Sequence, residues 1–202
     1  MSTSARIPAA IFAAALALAP AAAWAHTGGG GTVGFTQGFM HPLGGLDHVL
    51  AMVAVGLFAA QLGGRALWAV PATFVLVMAL GGALGVASVH LPFVELGIAL
   101  SVATLGLVVV AGRPWPVGLA MALVGMFAVF HGHAHGAEMP VDASGVAYGL
   151  GFLLATSLLH ASGIGLRMAL AFLSRSRTGR LTQATGMAIC VAGVTLLVGA
   201  VA

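Results

Sequence analysis

Six stretches of this chain are long and apolar enough to cross a lipid bilayer, at roughly residues 36–62, 66–89, 93–111, 115–131, 145–167 and 183–202. A spanning helix needs about 20 mostly apolar residues, since its backbone amides must be satisfied internally once water is gone. Short polar pieces punctuate the runs: GGR, HLP, GRPWP, HGHAHGAEMPVD and SRSRTGR. Charged residues make up 5% of the chain and mean hydropathy is +1.12, whereas a soluble domain carries about 25% charge. The pattern predicts an all-α membrane protein, a bundle of six transmembrane helices.

The N-terminus reads differently. Arg6 precedes a short apolar run that ends in Ala23-Trp24-Ala25. A positive start, a short apolar core and a small-x-small end describe a cleavable secretory signal peptide; an uncleaved first span is the alternative. Cleavage after Ala25 leaves His26 as the new terminus, outside the cytoplasm, where amine and imidazole together offer a weak metal grip. The blander account of HTGGGGT is a glycine-rich tail. The expected organisation is a signal over 1–25, a glycine-rich periplasmic segment over 26–34 and a six-helix domain over 35–202.

Charge placement orients the bundle. The net charge of +3 comes from seven arginines against four acids, too little for a nucleic-acid surface, so nucleic acid is not an expected partner. Cytoplasmic loops collect basic residues. With the N-terminus outside, Arg65, Arg113, Arg175, Arg177 and Arg180 all fall in inner loops, and Arg167 near the inner end of the fifth helix. The outer loops hold His90, Glu95, His131, His133, His135, Glu138 and Asp142 and no arginine. Both mature termini then lie outside. Thirty glycines run through the helices, and small residues let backbones approach closely in lipid. The lone Cys190 has no partner for a disulfide or a thiolate metal site.

Seven of the eight histidines and all four acids fall on the outer side. Ionisable groups at membrane depth are costly and mark ion or substrate paths. In FMHPLGGLDHVL, His41 and His48 are seven residues apart and would share a helix face about 10 Å apart. That is too far to grip one ion unless the helix breaks between them. Pro42, Gly44 and Gly45 are the residues that can break it. Pro42 suits a first-turn position, which makes His41 a flanking residue. Asp47 either meets a cation directly or accepts the imidazole N–H of a ligating histidine; the bland alternative is mutual satisfaction of these groups within the bundle.

The second cluster is FHGHAHGAEMPVD. His131, His133 and His135 alternate in what reads as an open, glycine-rich outer loop, with Glu138 and Asp142 behind them. Imidazole and carboxylate without thiolate suit a borderline divalent metal such as nickel, zinc or cobalt; a merely solvated loop is the alternative. His90 and Glu95 flank the other outer turn and would complete a vestibule. His160 lies deeper, as an inner relay or as a buried histidine bonded to Ser157 or a backbone carbonyl.

HPLGGLDH after a signal resembles the H-P-x-x-G-x-D-H signature of the HupE/UreJ family, and FHGHAHGAEMP resembles that family's second histidine-glycine motif with its glutamate. Length, span number and motif order agree over essentially the whole mature chain. The resemblance implies a bacterial inner-membrane nickel permease serving hydrogenase or urease maturation. It places His41, Asp47 and His48 in one metal-handling motif and His131, His135 and Glu138 in the other. Ni²⁺ is then cargo, with no permanently bound cofactor; Co²⁺ or Zn²⁺ are the competing ions, and self-association into a homo-oligomer is left open. No G-x-x-x-x-G-K-[ST] occurs in the sequence, so no ATP-driven step is expected.

Two other readings fare worse on the residues. Asp142-Ala143-Ser144-Gly145 is only loosely similar to the serine motif of rhomboid proteases. Ser144 and His160 would lie about 22 Å apart along one helix, beyond hydrogen-bond reach. A haem-binding subunit wants axial histidines matched across helices and leaves Asp47 and Glu138 without a role. The expectation is not an enzyme.

Overall fold

The computed structural model describes residues 30–140, 143–174 and 176–201, with side chains from residue 34. The signal region, His26, Asp142 and Arg175 lie outside the described residues. All regular structure among the described residues is helical. In chain order the helices are α1 (Gly30–Gly44), α2 (Leu46–Leu62), α3 (Ala66–Val86), α4 (Val94–Ala111), α5 (Val117–Ala137), α6 (Gly145–Leu173) and α7 (Thr178–Val201).

The first run is not one helix. It divides at Gly45, and α1 and α2 meet at 82°. Pro42 sits inside α1, not in the first turn of the next helix. Lacking an N–H, it removes a rung of the α1 ladder. Gly45 then adopts an extended conformation (φ −96°, ψ 117°) and starts α2. His48 thus falls in the opening turn of α2. The remaining five helices are each long and apolar enough to span a membrane, and the bent pair can supply a sixth span. The chain is a multi-pass membrane protein. Helix α1 begins within the segment read as a glycine-rich tail.

A second departure is larger. HGHAHGA is not a loop: α5 runs on to Ala137. The glycines there are packing positions. A Cβ on Gly132 would collide with the Met78 carbonyl, and one on Gly136 with the Gly82 carbonyl. Helix α3 answers with its own glycines, Gly81 against Val129 and Gly85 against His133. Helices α3 and α5 therefore run parallel with backbones almost touching, as small residues permit in lipid.

The same device recurs elsewhere. Gly56 of α2 abuts the His160 carbonyl of α6, while Gly163 abuts Val53, so α2 and α6 run the same way. Gly38 of α1 meets Tyr148 of α6. Gly106 of α4 faces Cys190 of α7, and Gly193 faces Ala103, an antiparallel pair. These directions fit helices that alternate across a membrane. The α2–α3, α4–α5 and α6–α7 connections then share one end of the bundle. Arg65, Arg113 and Arg177 lie in those connections, with Arg180 in the first turn of α7 and Arg167 in the inner part of α6. The other end carries the histidines and carboxylates. Between the ends, Met52, Phe58, Phe74, Met78, Leu105 and Phe127 fill the interior. Leu76, Leu107, Val146 and Phe172 are exposed, an apolar exterior suited to lipid.

Candidate metal centre

Helix α5 supplies the frame. His131 and His135 are one turn apart and share a face, while Gly132 and Gly136 occupy the neighbouring face against α3. His133 points away and meets the Val89 carbonyl through Nε2 at 2.6 Å. The opening turn of α2 brings His48 against the α5 pair. His48 Nδ1 lies 3.2 Å from His131 Nδ1 and 3.0 Å from His135 Nε2. The break before α2 also puts His41, near the end of α1, beside His135, with ring centroids 4.8 Å apart.

Neighbouring hydroxyls decide which nitrogens face inward. Ser101 Oγ donates to the Ile98 carbonyl at 2.6 Å. It therefore accepts from His131 Nε2–H at 2.8 Å, which leaves a lone pair on His131 Nδ1. Thr156 Oγ1 is directed as a donor at Met78 Sδ, 3.9 Å away, and accepts from His48 Nε2–H at 3.3 Å. His48 Nδ1 then also carries a lone pair. Two lone pairs face one another, an arrangement a shared cation relieves. Ligands adjacent on an octahedron are about 3.0 Å apart, and on a tetrahedron about 3.4 Å, when metal–nitrogen bonds are about 2.1 Å. The separations of His48 Nδ1 from His131 Nδ1 and from His135 Nε2 match that spacing. Without metal, His135 Nε2–H is the natural donor to His48.

A second group shares His135. His41 Nε2 lies 3.0 Å from Glu138 Oε2, and His135 Nδ1 lies 3.9 Å from the same oxygen. Each set, His48–His131–His135 and His41–His135–Glu138, has ligand atoms within 4.8 Å of one another. The first set is deep: His48 is 1% exposed and His131 0%. The second opens outward, with the Glu138 side chain 56% exposed. His135 thus presents one ring nitrogen to each set. Both border a cavity of about 360 Å³ that Asp47 and Glu95 also line. Asp47 does not orient an imidazole; its Oδ1 accepts the His48 backbone N–H at 2.7 Å. Phe152 walls the site, its ring 4.5 Å from that of His135.

The structure thus gathers His41, Asp47, His48, Glu95, His131, His135 and Glu138. It leaves His133 and exposed His90 outside, and His160 deeper, behind Phe74. His160 bonds neither Ser157 nor a carbonyl, and Ser157 instead donates to Leu153 at 2.7 Å. Sequence reasoning missed Ser101 and Thr156. Hydroxyls in membrane helices usually bond back to their own helix, as Thr73, Thr185 and Thr195 do here, so nothing distinguished these two. Ser144 serves as the N-cap of α6, accepting from Ala147 N–H at 3.5 Å, and is no partner of His160. The histidine rings, 4.7 and 5.1 Å apart between centroids, leave no slot for a haem between them.

Fold and site together define a polytopic all-α membrane protein with an imidazole–carboxylate centre at one end of its bundle. The chain belongs to the HupE/UreJ family: the model described as "HupE / UreJ protein" matches residues 14–196. It is 49% identical over 189 residues to Protein HupE of Rhizobium leguminosarum bv. viciae, covering 92% of this chain and 95% of that protein. No solved structure matches.

Proposed function

We propose that the protein is a permease that carries Ni²⁺ inward across a bacterial inner membrane, for hydrogenase or urease maturation. Its mature termini lie in the periplasm once the signal is removed, and its arginine-bearing end faces the cytoplasm. The observation that carries this reading is the convergence of His48 Nδ1, His131 Nδ1 and His135 Nε2, with hydroxyl partners that turn two of their lone pairs inward.

Asp47, Glu95 and Glu138 draw a hydrated cation into the cavity, since clefts lined by one charge sign concentrate the opposite one. His41, Glu138 and His135 Nδ1 take it first. It then passes to His135 Nε2, His48 and His131, exchanging water for imidazole. His135 serves both stages, so the transfer is short and one ligand is never far from the ion. A membrane potential of 100 mV favours inward movement of a divalent ion by about 4.6 kcal/mol, twice the single-charge value, and no ATPase is needed. The test is uptake of ⁶³Ni²⁺ into cells lacking their own nickel transporters, with excess Co²⁺ or Zn²⁺ as competitor. Uptake above vector that resists competition is expected. Equal uptake in vector and expressing cells would remove nickel transport, and stronger competition by Co²⁺ or Zn²⁺ would reassign the cargo.

The hydroxyl partners supply a second expectation. Ser101→Ala and Thr156→Val leave each ring in place but free its tautomer. Outer partners of this kind are worth about 10–100-fold in metal affinity. Titration calorimetry of the purified protein with Ni²⁺ should show each variant weakened in that range; unchanged affinity would mean that the hydroxyls only fill space.

A further inference from the structure

His160 lies mid-way along α6, is 1% exposed, and has no hydrogen-bond partner at either ring nitrogen. A buried polar group left unsatisfied is costly, so two unpartnered ring nitrogens at this depth call for a ligand. Its backbone is fixed, because the His160 carbonyl lies against Gly56 and Gly163 lies against Val53. It follows Thr156 by one helical turn, so it occupies the same face of α6 as the hydroxyl that holds His48. Phe74 separates it from the histidine centre, its ring 5.8 Å from that of His131 and 5.2 Å from that of His160. The His160 ring meets Phe74 edge to face. Pro71, three residues before Phe74, removes a rung from the α3 ladder, a local weakness of the kind that lets a helix bend.

We propose that His160 is an inner metal station: it takes a divalent cation from His48 and His131 after the Phe74 ring turns aside. This rests on the permease reading and adds to it a third stop, on the arginine-bearing side of the centre. An ion leaving three imidazoles for apolar surroundings meets a steep desolvation barrier. A free imidazole one ring further on lowers it. A single nitrogen ligand binds weakly, which suits release, since conduction requires sites the ion can leave.

The test joins transport to a direct view of the ring. His160→Phe keeps the bulk and removes both nitrogens; His160→Gln is the second variant, should the first not accumulate. In proteoliposomes with an imposed inside-negative potential, Ni²⁺ uptake by either folded variant should fall at least tenfold, while equilibrium Ni²⁺ binding at the His48–His131–His135 centre stays within twofold of wild type. In [¹⁵N]histidine-labelled wild type titrated with Co²⁺, the His160 ring signals, assigned by their loss in the variant, should broaden after those of the centre. Wild-type uptake rates in both variants, or His160 signals untouched at saturating Co²⁺, would overturn the proposal. Wild-type protein that transports nothing yet shows Co²⁺ reaching both sets of signals would defeat the permease reading and leave His160 a metal contact.

Discussion

His135→Ala is expected to abolish nickel uptake and to remove metal binding from both ligand sets at once. No other residue at the centre belongs to both. Its Nε2 lies 3.0 Å from His48 and its Nδ1 faces Glu138 at 3.9 Å. His41→Ala removes the outer set alone, and His48→Ala the inner set alone. Loss of even an outer-shell partner costs up to about 100-fold in affinity, so loss of a direct ligand from two sets should cost at least about 100-fold in uptake at limiting metal. The three variants separate on titration with Ni²⁺. His41→Ala should keep the buried site, His48→Ala the exposed one, and His135→Ala neither. Residual high-affinity binding in His135→Ala, with the protein correctly inserted, would show that the two sets do not share this imidazole.

The second large effect concerns folding. Gly132→Ala should prevent α3 and α5 from seating. The new methyl group would meet the Met78 carbonyl and, at 2.8 Å, the Gly82 amide nitrogen. These are backbone atoms of a packed helix and cannot rotate away. Overpacking a tight core costs about 1–3 kcal/mol where side chains can adjust, and here they cannot, so the loss should reach or exceed the upper end. Thermal unfolding in detergent, followed by loss of monodispersity, should show a clear drop for Gly132→Ala. Gly165→Ala, whose added Cβ has open space around it, is the neutral control. Equal stability of the two variants would mean that α3 and α5 do not approach so closely.

Much of this architecture was legible because lipid narrows the choices. Six apolar runs and a one-sided distribution of arginine need no tertiary information. A break between His41 and His48 was also readable, since on one unbroken helix the two are too far apart to cooperate; its place at Gly45 was not, because Pro42 suits a first turn and sits inside α1 instead. The misreading of HGHAHGA has a definite cause. Glycine and histidine in alternation look like a loop when judged by propensity in water. Within a membrane bundle, Gly132 and Gly136 at helical spacing are instead a close-packing surface, complementary to Gly81 and Gly85. Once that stretch is helical, the three alternating histidines cannot act together. His131 and His135 share a face, and His133 is turned toward Val89. Glu95 reaches the cavity because it opens α4 beside it, whereas His90, five residues earlier, does not line it. Ser101 and Thr156 were invisible because their role depends on partners 30 and 108 residues away in the chain.

The bend between α1 and α2 has an electrostatic consequence. A helix carries roughly half a positive charge at its N-terminus and half a negative charge at its C-terminus. Breaking the chain at Gly45 brings the negative pole of α1 and the positive pole of α2 to the rim of one cavity, since Gly44 and Gly45 both line it. For a cation the first pole is an attraction and the second a barrier. Asp47, in the first turn of α2, neutralises the second at its source. The break thus becomes a one-sided field that welcomes positive charge, which an unbroken helix could not provide at this depth.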